Sequence, residues 1–275
     1  MADTDPIAIV ELGPGDALAG LELSAEAHWN QNEADWRFFL SQGTVFGVRD
    51  GDDHLIATAA LLPYTSGNAW ISMVLVTANW RRRGLATKLV DACLEAAAAR
   101  GLTTWLDATP AGATVYGPLG FAPTLQLRRL RLENSTAPES GSAQPPSTCA
   151  LDEFIARDRG TMGFERGALL GELGRRSGSR LLSSGDAAAL VRDGRKARHI
   201  GPLFADGPDR ALAMVNEIVC SETGPLLIDA VSEQGEFLKG LTNSGWRIER
   251  PFQRMRFGHA QLAKLPFAVA GPEYG

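Results

Sequence analysis

The chain has 275 residues, of which 44% are hydrophobic and 21% charged, with three cysteines and a formal net charge of -5. This length predicts two domains. The acidic start and the lack of any apolar stretch of about 18 residues argue against a targeting signal and a membrane span. An acidic total excludes nucleic acid as a partner of the whole molecule, and cysteines without C-x-x-C spacing argue against disulfides and zinc. We therefore expect a cytoplasmic protein without a metal.

The first half of the chain predicts one α/β domain that begins with two helices. In chain order the predicted elements are a strand over 7–12, helices over 16–27 and 33–41, strands over 44–49, 55–63 and 69–77, a helix over 85–100, a strand over 104–108, a short helix over 113–119 and a strand over 121–132. Turn residues such as Asp50-Gly51 and Ser66-Gly67-Asn68 predict antiparallel hairpins among the middle strands. The helical spacing of Leu85, Leu89 and Cys93 predicts the long helix.

A segment rich in proline, serine and glycine over 134–148 predicts a linker, because such a composition cannot bury a core. We therefore expect one domain over 1–133 and a second over 149–275. In the second domain the predicted elements are a helix over 164–175, strands over 180–184, 188–193 and 198–204, a helix over 209–219, a strand over 226–231, a helix over 237–244 and a last strand from Trp246.

The two halves share a sequence pattern. Leu106-Asp107-Ala108 reappears as Ile228-Asp229-Ala230, and each tripeptide closes a predicted buried strand. A short helix follows in both halves and ends in Gly120-Phe121 or Gly245-Trp246, which opens a strand that contains arginines. Two related domains in tandem explain this pattern, and chance similarity between short α/β segments is the alternative.

The segment between the strand that ends at Val76 and the helix that starts near Leu85 is suited to an anion. A helix N-terminus offers unpaired N–H groups and the positive end of the helix dipole. The small Gly84 and Ala86 let that backbone approach phosphates, and three arginines precede the helix. The segment has neither the G-x-G-x-x-G of a dinucleotide site nor the G-K-[ST] of a nucleotide loop. A solvated basic turn is the alternative interpretation.

The pattern V-x-x-x-x-R-x-x-G-x-A from Val76 to Ala86, followed by Tyr116-Gly117-Pro118-Leu119-Gly120-Phe121, resembles the GNAT superfamily of N-acetyltransferases. The resemblance covers about residues 5–132. It implies an α/β (α+β) fold with a mixed, mostly antiparallel central sheet flanked by helices, which would occur twice in tandem here. It also implies an acyltransferase with acetyl-CoA as cosubstrate.

The resemblance assigns roles to residues of the first half. The strand over 69–76 would splay from its neighbour, so that backbone groups of Val74, Leu75 and Val76 pair with the pantetheine arm. Tyr116 matches the acid that protonates the departing CoA thiolate. Ala113 stands where the family often has an asparagine that contacts the cofactor, which puts that contact in doubt. The residues whose backbone would hold the pyrophosphate are Arg81, Arg82, Arg83, Gly84, Leu85, Ala86 and Thr87.

The acceptor side is less defined in the sequence. Around the joint between the first two helices, Trp29-Asn30-Gln31 and Trp36 have the aromatic and amide character of a small-molecule pocket, although they could equally be plain core. We expect Trp29, Asn30, Asp35 and Ser72 to bind the acceptor. A base must accept the proton of the amine, and the candidates are His28, Glu33, Asp35 and Ser72. His54 and His259 lack partners at ligand spacing, which favours a structural or exposed role.

The second half has lost the arginine loop. Residues 200–210 contain Pro202 and Pro208, which remove backbone donors, and Asp206 and Asp209, which repel pyrophosphate. We therefore expect a degenerate second domain that helps to close the acceptor pocket of the first.

As a whole, the sequence predicts an N-acetyltransferase that moves the acetyl group of acetyl-CoA to a primary amine of a small molecule, by direct transfer in a ternary complex. We expect a monomer or homodimer with no nucleic-acid or membrane partner. The alternative is a non-catalytic acetyl-CoA-binding sensor or interaction module.

Overall fold

The computed structural model of the chain describes residues 8–135 and 146–275. Its α-helices are α1 (Ala17–Glu26), α2 (Glu33–Gln42), α3 (Leu85–Ala98), α4 (Pro110–Tyr116), α5 (Leu151–Met162), α6 (Gly167–Arg175), α7 (Pro208–Ser221) and α8 (Gly235–Asn243). Its strands are β1 (Ile9–Glu11), β2 (Thr44–Arg49), β3 (Leu55–Pro63), β4 (Asn68–Val76), β5 (Thr103–Ala108), β6 (Ala122–Ser135), β7 (Ser147–Thr148), β8 (Arg180–Ser184), β9 (Ala187–Arg192), β10 (Arg198–Phe204), β11 (Gly224–Val231) and β12 (Arg247–Phe257). Among these residues no helix is both long enough and apolar enough to cross a membrane.

All twelve strands form one sheet, in the order β1-β2-β3-β4-β5-β12-β6-β11-β10-β9-β8-β7. Neighbouring strands are antiparallel except for the pairs β4–β5 and β10–β11, which are parallel. The sequence prediction of a mixed, mostly antiparallel sheet flanked by helices is confirmed. The two halves of the sheet have the same topology. From one edge the order is β1 to β5, from the other edge it is β7 to β11, and in both runs only the last pair of strands is parallel.

The halves exchange their last strands at the centre of the sheet. β12 comes from the second half but lies between β5 and β6, and β6 comes from the first half but pairs with β11. Neither half therefore holds a complete sheet of its own. The domain boundaries at 133 and 149 stay a prediction. The predicted linker lies mostly in residues 136–145, outside the described residues.

Two buried ion pairs fasten the exchanged strands. Arg254 on β12 donates to both carboxylate oxygens of Asp107 on β5, at 2.8 and 2.7 Å. Arg129 on β6 donates in the same way to Asp229 on β11, at 2.8 and 2.8 Å. Each pair thus joins one half's aspartate to the other half's arginine, and bidentate geometry of this kind is specific as well as strong. The repeated L/I-D-A tripeptides supply both aspartates.

The helices cover the two faces of the sheet. On one face, α1 and α2 of the first half and α5 and α6 of the second pack into a single apolar cluster that includes Trp36, Phe39, Phe154 and Leu170. On the other face, α3 and α4 pack on the first half and α7 and α8 on the second, in separate clusters. The halves are therefore joined by a shared core as well as by the sheet.

Helix bounds differ most from the sequence prediction at α4 and α6. α4 begins at Pro110, three residues earlier than predicted, because the Thr109 hydroxyl caps the helix by accepting from the Gly112 N–H at 3.2 Å. This start makes Tyr116 the last residue of α4. The helix predicted over 164–175 begins at Gly167, and α5 before it was not predicted. Asp158 interrupts the apolar pattern of α5, since it is buried against Arg166.

The C-terminal segment fills a gap between β10 and β11. These strands pair only from Arg198↔Leu226 to Ile200↔Ile228 and then diverge. Residues 267–270 lie between them as an added strand. The Leu203 N–H donates to the Ala268 carbonyl oxygen and the Val269 N–H to the Asp229 carbonyl oxygen, each at 3.0 Å.

Beyond residue 270 the chain packs on the first half. Trp70 Nε1 donates to the Pro272 carbonyl oxygen at 3.0 Å, and the Tyr274 hydroxyl donates to Asp35 at 2.8 Å. The Tyr274 ring stacks on Phe39, with 5.1 Å between ring centroids. The last residues of the chain are therefore part of the first half's core.

A buried histidine extends the second ion pair. His199 Nε2 lies 2.9 Å from Asp229 Oδ2, while His199 Nδ1 is buried without a partner. Burial would raise the pKa of the Asp229 carboxyl, but Arg129 and His199 outweigh burial and hold that pKa well below its usual value. Burial lowers the pKa of His199, and this effect prevails over its hydrogen bond to Asp229. His199 is therefore neutral in the folded protein, with the proton on Nε2.

This arrangement makes stability pH-dependent. Below the unfolded-state pKa of about 6.5, His199 gains a proton in the unfolded chain but not in the folded one. Stability falls as the pH drops from about 7.5 to 5.5, by up to about 1.4 kcal/mol per pH unit from this residue. We expect His199→Gln, which can still donate to Asp229, to reduce the pH slope of the free energy of unfolding in urea titrations. An unchanged slope in that variant would contradict the neutral assignment.

Candidate functional site

A cleft opens in the first half where two parallel strands separate. β4 and β5 pair at Asn68↔Thr103, Ala69↔Thr104 and Trp70↔Trp105, and no further pairing follows. The cleft has a volume of about 620 Å³, including its open mouth. Its walls are formed by Trp29, Gln31, Ile71, Ser72, Met73, Val74, Leu106, Asp107, Ala108, Thr109, Tyr116, Arg129, Arg250, Phe252, Pro272 and Glu273.

A bulge in β4 shapes one wall of the cleft. Thr58 pairs with Leu75 and Ala60 with Ser72, so two residues of β4 stand opposite the single Ala59. One of the two, Met73, has a φ of 52°, in the left-handed region. The buried Thr58 hydroxyl donates to the Met73 carbonyl oxygen at 2.8 Å and holds this conformation. The bulge disrupts the β3–β4 ladder beside the cleft.

Tyr116 lies on the opposite wall, at the end of α4. Its side chain packs in the cluster that contains α3, 6.1 Å from the Phe121 ring centroid. Burial, together with the nearby Cys93, raises the pKa of Tyr116 to about 12. The phenol therefore keeps its proton across the physiological pH range, which an acid must do before it can donate.

The N-terminus of α3 follows β4 by way of an exposed loop. Gly84 precedes the helix with a φ of 77°, and no side chain caps the N–H groups of the first turn. The Lys88 N–H makes the first helical bond, to the Gly84 carbonyl oxygen, so the N–H groups of the preceding residues have no intrahelical acceptor. Residues 81–84 are exposed, whereas Leu85 is buried and Ala86 and Thr87 are half-buried. The loop thus presents backbone N–H groups without intrahelical acceptors at the end of β4, the strand that lines the cleft.

The three arginines of this loop differ in their contacts. Arg81 Nε donates to the Val76 carbonyl oxygen at 3.0 Å. Arg83 donates to the Asn79 carbonyl oxygen at 3.2 Å, and its guanidinium carbon lies 4.6 Å from the Trp80 ring centroid. Arg82 makes no hydrogen bond or ion pair within residues 8–135 and 146–275. Two of the guanidiniums therefore brace the loop and one is free.

Glu26, at the end of α1, fixes the start of the same loop. Its carboxylate accepts from the Thr77 hydroxyl at 2.6 Å and from the Ala78 N–H at 2.7 Å. These two bonds lower the pKa of Glu26. The sequence analysis gave Glu26 no role, because its contact with the loop arises only when α1 packs on β4.

The predicted acceptor residues fall into two groups. Trp29 and Ser72 line the cleft, whereas Asn30 and Asp35 do not. Ser72 Oγ and the neighbouring Gln31 Oε1 are buried without hydrogen-bond partners in the described part of the chain. Two unpaired polar atoms in a cleft wall indicate a place for a polar ligand, since buried polar groups are otherwise almost always paired.

Asn30 and Asp35 join the two halves instead. Asn30 donates to the Ala197 carbonyl oxygen at 2.9 Å and accepts from the Lys196 and Ala197 N–H groups at 2.8 and 3.0 Å. Asp35 is fully buried and accepts from Arg176 at 2.5 Å.

The remaining candidates for the base lie outside the cleft walls. His28 is exposed, and Glu33 pairs with Arg37 on the surface of α2. Of the four candidates, only Ser72 lines the cleft.

Five residues of the cleft come from the exchanged strands and the C-terminal segment, and the sequence indicates no role in a cleft for any of them. Arg129 lies on β6, Arg250 and Phe252 on β12, and Pro272 and Glu273 on the C-terminal segment. The sequence shows that each half ends in a strand that contains arginines. It does not show that the two halves exchange these strands. The second half therefore forms part of the wall of the first half's cleft.

The corresponding place in the second half is filled by the chain itself. Residues 267–270 lie in the gap between β10 and β11, which corresponds to the cleft between β4 and β5. α7 begins with Pro208 and has Asp209 in its first turn. The helix that corresponds to α4 buries Phe237 and Leu241. Residues 267–270 therefore take the place in the second half that is open in the first.

A metal site was not expected, and the structure has one group of residues with suitable spacing. Within the described ranges, only Asp50, Asp52 and His54 bring three ligand atoms within 4.8 Å of one another. They lie in the turn between β2 and β3, where Asp52 and His54 are exposed, and they do not line the cleft. His259 is exposed.

Known proteins similar to this chain share this architecture. A model described as the acetyltransferase (GNAT) family matches residues 18–121, and one described as an acetyltransferase (GNAT) domain matches residues 155–265. The uncharacterized N-acetyltransferase YitH of Bacillus subtilis (strain 168) is 24% identical over 240 residues, which is 82% of this chain and 83% of YitH.

Two solved structures show the same fold. A Pyrococcus horikoshii protein assigned as an acetyltransferase superposes with a TM-score of 0.81 at 19% identity, over 98% of this chain and 96% of its own. A tandem GNAT protein from the clavulanic acid biosynthesis pathway superposes with a TM-score of 0.66 at 15% identity, over 93% of this chain and 100% of its own. The chain therefore belongs to the GNAT family of N-acetyltransferases, as an acetyl-CoA-dependent acyltransferase with two GNAT domains in tandem.

Proposed function

We propose that the chain transfers the acetyl group of acetyl-CoA to a primary amine of a small molecule, by direct transfer within a ternary complex in the first-half cleft. The observation that carries this proposal is the separation of β4 from β5 beyond Trp70. The cleft so formed has Tyr116 in one wall, and the strand in the other wall leads into a bare helix N-terminus. The corresponding gap in the second half is filled by residues 267–270, which supports a single site in each chain.

The cofactor side of this site would be built mainly from backbone. Val74, Leu75 and Val76 lie on the part of β4 that has no partner on the β5 side, so an extended arm can pair with this edge. The Val76 carbonyl oxygen already accepts a hydrogen bond from Arg81. The Val76 N–H would therefore be the group of this residue that pairs with the pantetheine arm.

The pyrophosphate would lie on the loop over 81–87. The N–H groups of the first turn of α3 and the helix dipole favour an anion there, and a Cβ built on Gly84 would meet nothing within 4 Å. Arg82 is free to add a charge-assisted contact. The fit rests on the uncapped helix N-terminus as well as on the arginines.

Tyr116 would be the general acid of the reaction. The amine nitrogen attacks the thioester carbonyl carbon and the carbon–sulfur bond breaks. The departing sulfur then takes a proton from the phenol, and the proton that the amine loses passes through solvent to the phenolate, so that Tyr116 is protonated again at the end of the reaction. Burial keeps the phenol protonated, and proton donation to a leaving group contributes about 10²- to 10⁴-fold in rate.

Tyr116→Phe removes only the hydroxyl, so we expect kcat to fall by about 10²- to 10⁴-fold while CoA affinity in calorimetric titrations stays the same. For the wild type, kcat should remain flat through the ordinary tyrosine pKa of about 10, because the pKa of Tyr116 is raised to about 12. Thiol release from acetyl-CoA in a screen of primary amines measures kcat for the variant and the pH dependence of kcat for the wild type.

Tyr64→Phe is the matched control. Tyr64 does not line the cleft, and its hydroxyl donates to the Tyr274 carbonyl oxygen at 2.9 Å. Its variant should keep full turnover at some loss of stability. Equal turnover in the Tyr116→Phe variant and the wild type would refute the acid role, whereas CoA binding by the wild type without turnover of any amine would favour a sensor.

Gly84→Asp tests the pyrophosphate site. A carboxylate before the first turn of α3 repels an anion there, so we expect the Kd for CoA to rise at least about 10-fold. Gly101→Asp is the control at the other end of the same helix, since Gly101 also has a positive φ of 64° and open space around its Cα. Equal weakening of CoA binding by both substitutions would show that strain or net charge causes the effect.

A further inference from the structure

Two guanidiniums lie side by side in the cleft wall at the exchanged strands. Arg250 on β12 is the register partner of Arg129 on β6. Their guanidinium carbons lie 5.8 and 5.3 Å from the centroid of the same ring, that of Phe252. Two cations on neighbouring strands repel each other unless an anion lies between or beside them.

Only one of these two cations is neutralised by the protein. Arg129 makes its bidentate pair with Asp229. Arg250 makes no hydrogen bond or ion pair in the part of the chain that the structure describes. Burial, together with the neighbouring Arg129, lowers the pKa of Arg250. A half-buried guanidinium without a direct ion-pair partner is unfavourable in the free protein and is stabilised by an anionic ligand.

The other charged groups of the cleft wall are already paired. Asp107 is bound by Arg254, and Glu273 accepts from Arg192 at 2.8 Å. The exposed Glu249 acts on Arg250 and Arg129 at longer range but lies outside the cleft wall and forms no ion pair with either in the described part of the chain. Of the charged side chains of the wall, Arg250 is therefore the one without an ion-pair partner among the described residues. A polycationic acceptor such as a polyamine or an aminoglycoside would be repelled there, whereas an acceptor with an anionic group would be attracted.

Elsewhere the same wall can accept hydrogen bonds from an amine. Gln31 Oε1 is buried and unpaired, and Ser72 Oγ is unpaired on the β4 wall. The cleft thus combines one free cation with free polar oxygens, and an acceptor that has both an anionic group and an amine matches both features.

We propose that the acetyl acceptor is an amine that also carries a carboxylate, and that Arg250 binds this carboxylate. The inference rests on the proposed function and names its substrate class. A carboxylate fits better than a phosphate dianion, because Arg129 is committed to Asp229, and the single remaining guanidinium neutralises a monoanion but only half the charge of a dianion. The amine of the acceptor faces the acetyl group, and Trp29 and Phe252 enclose the carbon chain between its two polar ends.

Matched pairs of amines test the charge requirement in the full-length protein. Thiol release from acetyl-CoA is measured with glycine, β-alanine, 4-aminobutyrate and phenylalanine, and with the amide of each, which keeps the amine and removes the charge. We expect kcat/KM for at least one acid to exceed that of its amide by about 10- to 100-fold, the contribution of a hydrogen-bonded charge. Spermidine and phosphoethanolamine should be poorer acceptors than that acid.

Variants on β12 locate the effect. Arg250→Gln should bring the ratio of acid to amide close to one, Arg250→Lys should retain part of it, and Arg250→Glu should shift the preference towards spermidine. Arg247→Gln is the matched control, because Arg247 is an exposed arginine of the same strand outside the cleft wall. The control should keep the wild-type ratio.

The outcomes separate this inference from the proposed function. Turnover of amines with equal use of acids and amides, or an acid preference that survives Arg250→Gln, would overturn the inference alone. A higher kcat/KM for phosphoethanolamine or spermidine than for every carboxylate would also overturn it. If no amine of either class releases the thiol, the proposed function fails and the inference fails with it. Calorimetric binding of N-acetylglycine but not its amide, with CoA present, and loss of this binding in Arg250→Gln, would support Arg250's role independently of turnover.

Discussion

The structure depends on two buried aspartate–arginine pairs that cross between its halves. Asp107 holds Arg254 and Asp229 holds Arg129, so each central strand is fastened to the half that did not supply it. Removing one partner of such a pair leaves an uncompensated buried charge, which costs about 3 to 5 kcal/mol. The pairs therefore specify which strand lies beside which, and a sheet in which each half kept its own last strand would place different residues around the cleft.

The exchange explains how the second half contributes to the cleft of the first. β12 brings Arg250 and Phe252 to the first half's cleft, and the chain that follows β12 fills the second gap before it returns with Pro272 and Glu273. Loss of the second cleft and completion of the first are thus two effects of the same stretch of chain. The two halves form one unit in which the cleft draws residues from both.

Local patterns made much of this architecture predictable. The strand–loop–helix around Gly84, the hairpins of β2 to β4, and the repeated tripeptides at Asp107 and Asp229 depend on neighbours in sequence, and periodicity and turn residues report such neighbours. The exchange of β6 and β12 could not be read from the sequence. Both strands have a similar pattern of arginines and apolar residues, and this pattern does not decide which of them pairs with β5 and which with β11. Asn30 and Asp35 illustrate the same limit: a polar residue beside an aromatic pair fits a pocket or an interface, and only the position of Ala197 and Arg176 decides between them.

The position of β12 near the end of the sequence has a consequence for synthesis of the protein. The half that contains the cleft emerges from the ribosome first, yet the edge of β5 and the carboxylate of Asp107 lack their β12 partners until residues 247–257 have been made. A contact that spans some 150 residues closes slowly, because much chain must be ordered before it forms. An exposed strand edge can meanwhile pair with the wrong chain. Mutations or truncations near the 3′ end of the gene would therefore damage the cleft of the first half.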